Sequence, residues 1–470
     1  MIMLRKSIYA ISTGLTLIAF SSCEKTVDKL PSDSINQAIV FQTVTDLEQG
    51  LNAVYGSWAG DNSMYVSAIV ADETKISNEN RGQGQFEFKW QYVPNQGGAA
   101  SGGWTSFYYT IGIANKMLAV IDGIKTNSAA EQTRRDQIKG ELLGLRGAAH
   151  FELLQRFSGK FNASGKGIPY TTTSDISARP ARASVADVIR GIETDLAAAK
   201  SSPLNTAPVA TGTAGSIYLS KAAIAGYQAR VALYKGDWTA AAAFASEAIT
   251  SGGKGLATAA QFPTIWTDDS EAEVIWKQRR TGTGVGTLWQ DNNGDVFFEP
   301  SDKLKSLFNR TTDVRFNAYF LIAPTTQDTC LVKKFFSSAR GPKIVDIKSM
   351  RVAEFHLIRA EARAELGDLA GAASDFNLLG AARINGFSNV TFASKTEAID
   401  AIMNERAREL CFEGFRFFDL VRRGLPVTRP ASDVQSSAWQ TLPASDYRML
   451  FPIPQASILS NPNMEQNPGY

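Results

Sequence analysis

The sequence predicts a mainly α protein: a helical body with tetratricopeptide-like helix pairs, plus an irregular, loop-rich insertion carrying short strands. Three observations lead there. Apolar residues recur at helical spacing through much of the 470-residue chain, as in Leu142, Leu145, Ala149 and Leu153. Two segments place small residues at tetratricopeptide positions: Ala229, Gly236, Trp238, Ala241 and Ala248 in one, Ala360, Gly367, Leu369, Ala372 and Phe376 in the other. The small residues let two helices approach, and the Gly-Asp steps Gly236-Asp237 and Gly367-Asp368 form the turns. Residues 252–349 lose the helical period and read as β-branched and aromatic runs between Gly, Asn and Asp clusters. The two small-residue copies are too far apart for a regular tandem array, so the body is a stack of helix pairs interrupted by the insertion.

In chain order, Arg5 and Lys6 precede a short apolar stretch from Ile8 to Phe20, too short to span a bilayer, and residues 1–22 read as a signal peptide. Ser21 and Ser22 before Cys23 resemble a bacterial lipobox, with Phe20 in place of the usual Leu; the resemblance implies cleavage before Cys23 and lipidation of that residue. Losing residues 1–22 removes two positive charges and leaves the side chains balanced, so attachment would come from acyl chains rather than a basic patch. Residues 23–43 form a tether, and 44–470 a single domain. A first helix starts at Thr45 or Asp46, with Leu47, Leu51, Val54 and Trp58 on one face. Residues 77–103 form a long polar loop in which Phe86, Phe88, Trp90 and Tyr92 alternate like a short strand. Helices follow at 104–124 and 131–157, then at 184–200, where Ser184 is the N-cap and Asp187 completes a capping-box-like start. The helix pairs occupy about 216–251 and 350–384, a further helix runs over 394–418, and 425–470 is an extended coat.

Composition excludes several classes of function. With 44% apolar and 20% charged residues the chain folds, and a formal charge of +2 gives no footprint for nucleic acid. Three Cys and two His support neither a disulfide framework nor a zinc module. His150 and His356 lack a Glu three residues earlier, and there is no HExxH or GxSxG motif. Gly282, Gly284 and Gly286 lack a following Lys-Ser/Thr pair and read as a mobile loop rather than a phosphate cradle. No cofactor is expected. Asp291, Asn293 and Asp295 match the first three ligand positions of a calcium loop, but Val296 and Asp302 occupy the sixth and twelfth, so a solvated turn is the default. Glu405, Glu409 and Glu413 share a helical face and could suggest a glycosidase pair. Arg408 and Arg416 lie three residues beyond Glu405 and Glu413, which makes the group an ion-pair network instead. The candidate ligand-binding residues are Trp90 and Tyr92 in one loop and Trp289, Asn292 and Asn293 in another. Flat apolar rings beside amide donors and acceptors suit a saccharide; the alternative is that the rings cover the helical core.

Two long motifs carry a family resemblance. NERARELCFEGFRFFDLVRRG at 404–424 is similar to an ER-x-RELxFEGxRxxDLxRxG helix, and LFPIPQASILSNPNMEQNPGY resembles a PIP…NPN…QNPGY terminus. Weaker matches are Trp104…Ile113-Ala114-Asn115, Arg146-Gly147…Phe151 and Gly167-Ile168-Pro169-Tyr170. Together they resemble the SusD/RagB family of Bacteroidetes outer-membrane lipoproteins. The resemblance implies a SusD-like helical body at the cell surface. It also implies a SusC-like TonB-dependent transporter as partner and a non-catalytic role in delivering oligosaccharide for import. A peptide- or protein-binding member of the same architecture is the alternative, with a helical glycoside hydrolase behind it.

Overall fold

The computed structural model describes residues 40–209, 216–282, 284–322 and 330–470. The signal peptide, Cys23 and most of the tether lie outside the described residues.

Helix α1 (Val44–Gly56) is set by a capping box: the Thr43 side chain accepts from the Asp46 N–H, and Asp46 accepts from the Thr43 N–H at 2.8 Å. Helix α2 (Gly60–Val70) was not foreseen, because it is apolar all round and opens with Gly60, Asp61 and Asn62; its last five residues, Val66 to Val70, are all buried. Then follow α3 (Ala99–Leu118), α4 (Ala129–Ser158), α5 (Val185–Ser201), α6 (Lys221–Lys235) and α7 (Trp238–Gly252). The expected capping of the 184–200 helix holds, with the Ser184 hydroxyl accepting from Asp187 N–H. Beyond the insertion lie α8 (Val352–Glu365), α9 (Leu369–Arg383), α10 (Lys395–Glu409) and α11 (Arg416–Arg423).

Each helix from α3 to α8 packs on the next, and α8 also packs on α9 and α10. The body is therefore a continuous stack rather than a closed bundle. The two Gly-Asp steps sit at the turns of the α6–α7 and α8–α9 pairs. Gly236 and Gly367 take positive φ (74° and 87°), and Asp237 and Asp368 cap the following helices. Close approach is built into the stack: a Cβ on Gly147 of α4 would come within 3.3 Å of the Ile192 carbonyl of α5. A satellite core of Leu357, Leu379, Ile402 and their neighbours ties α8, α9 and α10 together.

The insertion supplies short antiparallel pairs. β1 (Thr74–Ile76) pairs with β3 (Phe298–Pro300), and β2 (Val274–Gln278) pairs with β4 (Ile347–Arg351), which runs straight into α8. Two expectations are corrected. Of the alternating aromatics, Phe86 and Phe88 belong to a single helical turn, Gln85–Phe88, and Trp90 and Tyr92 follow it outside any strand. The helix expected over 394–418 breaks at 410–415, where Phe412 and Gly414 adopt positive φ (61° and 94°). The break lets α11 turn back toward α2, and the Phe417 N–H reaches the Ser67 hydroxyl at 3.1 Å. The C-terminal coat holds a strand pair, 427–428 with 441–442, and a short helix, Gln455–Ser460.

Candidate functional site

The signature segment is a buried charge lattice. Glu409 is fully buried and receives Arg315 at 2.9 Å, Arg351 at 2.7 Å and Arg383 at 3.1 Å. Those guanidiniums hold its carboxyl well below the usual range despite burial. Glu405 meets Arg315 and Arg408, and Glu413 meets Arg351 and Lys334. Arg416 does not pair with Glu413, as its spacing suggested; the 410–415 break carries it to Asp72, 2.7 Å away. Each carboxylate of the Glu405, Glu409 and Glu413 set is thus tied to at least two cationic side chains.

A different surface emerges where two loops meet. The β1–β3 pairing joins the loop after Ile76 to the loop before Phe298. The contact continues through Asn80, whose side-chain amide donates to the Phe297 carbonyl at 2.8 Å, and through Glu79, which accepts from Val296 N–H at 2.7 Å. Gln290 and Val296 bridge to close a hairpin, and Gly294 turns it at φ 99°. The Asp291 carboxylate accepts from the N–H groups of Asn293 and Asp295, both at 2.9 Å, which shapes the tip. At that tip Asn292 and Asn293 are exposed, and Arg81 crosses from the first loop with 61% of its side chain exposed. Phe86 stands on the same first loop with half its surface open.

The structure thus brings the two predicted loops together but does not present the predicted rings. Trp90 is buried: its indole N–H donates to the Val70 carbonyl at 2.9 Å, and the Arg429 guanidinium lies 4.4 Å from its ring centre. Tyr92 is buried, with its hydroxyl on the Arg448 carbonyl and its ring edge-on to Phe451. Trp289 is buried between Tyr65 and Phe412, and its indole N–H has no hydrogen-bond partner among the described residues. These rings roof the helical core, because in a chain with few strands the loop aromatics are the available cover for the ends of α2 and α11. Asn292 and Asn293 remain available. Phe86 and Arg81, open on the same loop, were not among the expected residues: Phe86 stood out only as part of the aromatic alternation, and Arg81 carries no pattern.

Asp291, Asn293 and Asp295, the weak calcium candidates, lie in the turn that the sequence made the default. The Arg81 guanidinium pairs with Asp295 and lies 3.7 Å from Asp291, so a cation already occupies the carboxylate pair. The described residues hold no cluster of three or more His, Cys, Asp or Glu placed to bind a metal. His150 is a packed residue: its Nδ1 donates to the Arg146 carbonyl, Thr171 N–H donates to its Nε2, and burial lowers its pKa to about 3. Of the glycines expected in a mobile loop, Gly286 is held, its N–H on the Lys343 carbonyl. Cys411 is buried, and burial raises its thiol pKa.

Two family models match the N-terminal and C-terminal parts of the chain. Residues 25–233 match a family described as starch-binding associating with outer membrane, and residues 323–470 match the SusD family. The chain belongs to the SusD/RagB family. SusD-like protein P38 of Formosa agariphila is 22% identical over 97% of both chains, and the starch-binding protein SusD of Bacteroides thetaiotaomicron is 38% identical over 27% of this chain and 22% of its own. A crystal structure described as a putative sugar binding protein from Bacteroides vulgatus superposes with a TM-score of 0.79 at 25% identity, covering 92% of this chain and 99% of that one. A laminarin-binding SusD-like protein superposes at 0.70 and 20% identity, covering 92% and 100%. The SusD-like fold expected from the sequence is the fold observed. No helix among the described residues is long and apolar enough to cross a membrane.

Proposed function

We propose that this SusD-family chain is a non-catalytic cell-surface lipoprotein that captures oligosaccharide and passes it to a SusC-like TonB-dependent transporter. The observation that carries the reading is the joining of the 77–98 loop to the 290–296 hairpin. It sets the exposed amides of Asn292 and Asn293, the Arg81 guanidinium and the open ring of Phe86 on neighbouring loops. Amides and a guanidinium match the hydroxyl rim of a sugar, and an open aromatic face matches its C–H surface. Relatives described as starch-binding and laminarin-binding support a glycan as the ligand class. Attachment would be through lipidated Cys23, in keeping with the outer-membrane association of the matching family.

Such a surface is shallow, so binding is expected to be modest and to need several sugar units to be ordered at once. The test is titration calorimetry of residues 24–470 against starch- and laminarin-derived oligosaccharides, with Asn293→Ala and Phe86→Ala beside the parent. The reading expects binding that each substitution weakens about tenfold with melting unchanged. Binding that neither substitution alters moves the ligand away from these loops, and peptide binding without glycan binding replaces the ligand class.

A further inference from the structure

Three short stretches that the sequence singles out, around Asn115, Arg146 and Gly167-Ile168-Pro169-Tyr170, meet in the structure. Together they hold residues 169–173 along α3 and α4. The Tyr108 hydroxyl donates to the Pro169 carbonyl at 2.8 Å, and Asn115 Nδ2 donates to the Thr171 and Thr173 carbonyls, both at 3.1 Å. Thr171 N–H donates to His150 Nε2 at 3.1 Å. Asn115 and His150 are buried. Arg146 donates to Asn115 Oδ1 at 3.0 Å and pairs with Asp195, which also accepts from the Tyr170 hydroxyl at 2.5 Å.

These main-chain partners fall on residues 169, 171 and 173. The main-chain N–H and C=O groups of Tyr170 and Thr172 have no hydrogen-bond partner among the described residues, and Thr172 is exposed. Such alternation is that of an extended chain with one edge bound and the other open, its open groups recurring every second residue, about 6.7 Å. Helix side chains stand where a sheet would have a second strand. Proteins blunt open edges with Lys, Pro or bulges, yet Tyr-Thr-Thr-Thr-Ser at 170–174 carries neither a charge nor a Pro. Residues 170–173 also wall a groove of about 570 Å³, with Trp104, Tyr108 and Gly112 of α3 on another side and Ser457 and Met464 of the C-terminal coat on a third. That volume lies within the ~300–1,000 Å³ of sites that bind drug-sized ligands. Ile176, also in the groove lining, is 93% exposed. An incoming extended chain could exchange N–H and C=O with Thr172 and lay alternate side chains against the groove. A sugar would instead be met by the threonine hydroxyls.

We propose that Tyr170 and Thr172 form an open strand edge that takes an extended segment of a partner protein, main chain to main chain, along this groove. The site is independent of the loop surface. The probe is a phage-displayed library of random short peptides selected on residues 24–470, with each hit resynthesised and titrated. Thr172→Pro removes the central N–H, whereas Thr172→Ala keeps the main chain and removes only the hydroxyl. Should Thr172→Pro fold poorly, Gly112→Trp fills the groove from α3, where a Cβ meets no heavy atom within 4 Å beyond its own helix. The expected result is at least one peptide that binds about tenfold more weakly to the folded Thr172→Pro or Gly112→Trp variant and equally well to Thr172→Ala and Asn293→Ala. N-methylation along that peptide should weaken binding at every second residue. No selected peptide, full binding by a folded Thr172→Pro or Gly112→Trp variant, loss in Asn293→Ala, or N-methyl losses without alternation overturns the proposal. So does an oligosaccharide response lost in Thr172→Ala, which gives the groove to a sugar, or self-association lost in Thr172→Pro, which gives the edge to a second copy.

Discussion

At Glu409 three guanidiniums converge on one carboxylate buried from water, and the worth of the arrangement lies in its completeness. Replacing Glu409 by Gln leaves three buried cations short of an acceptor and is expected to cost about 3–5 kcal/mol, read as a lower denaturant midpoint. Glu73 is the opposite case. One of its oxygens accepts from the Phe412 N–H at 3.1 Å and the other has no partner among the described residues. Burial raises its pKa from 4.5 to about 8. Between those two values the folded protein holds a proton that the unfolded chain has released, so this group's stabilisation, full below pH 4.5, is lost as pH rises to about 8. Asp72 has the contrary sign: Arg416 and Lys303 depress its pKa, so its contribution is lost only as pH falls through the acid range. Glu73→Gln should therefore raise the melting temperature at pH 8 more than at pH 5; an equal change at both would show that Glu73 does not titrate in this window. Little of this was legible beforehand. Spacing placed Glu405, Glu409 and Glu413 on one face and showed them beside arginines, but Arg315, Arg351 and Arg383 come from distant elements.

The elements that sequence missed share a cause. Periodicity finds helices with one wet face, so α1, α4 and α5 stood out, whereas α2 is buried on nearly every side. The 410–415 break was hidden because Leu410, Cys411 and Phe412 continue an apolar helical pattern, while the backbone turns at Phe412 and Gly414. Gly414 has φ 94°, and a Cβ there would sit 3.2 Å from the Ser63 backbone of α2. Gly414→Ala should cost about 1–3 kcal/mol and loosen α11 from α2, visible as faster hydrogen exchange in both. Gly82, with φ 90° and open space around its Cβ, is the matched control: its Ala variant bears the backbone strain alone and should lose less. At the two joined loops, the amides expected from the sequence are exposed and the expected rings are buried. Trp90 and Trp289 look like stacking platforms by composition, and only the fold shows that Arg429 and Phe412 already lie against them.

For the whole molecule, a stack of helices carries two loops from distant parts of the chain that pair with each other. The family and its helical fold were legible because their motifs are structural, packing α10 onto α8 and α9, α11 onto α2, and the C-terminal coat onto α4. The proposed ligand surface is less legible because it is built of exposed loop residues that no packing rule constrains. Removing the hairpin contact should separate the two roles: Arg81→Ala releases Asp291 and Asp295 at the surface, where ion pairs contribute only ~0–1 kcal/mol. It should leave melting nearly unchanged while weakening glycan binding. The most direct measurement is titration of starch- and laminarin-derived oligosaccharides into residues 24–470, with product analysis after prolonged incubation. The account predicts saturable binding, intact oligosaccharide afterwards, and a tenfold loss in Asn293→Ala. Shortened sugars would contradict the non-catalytic reading, and no glycan binding alongside binding of peptide would contradict the ligand.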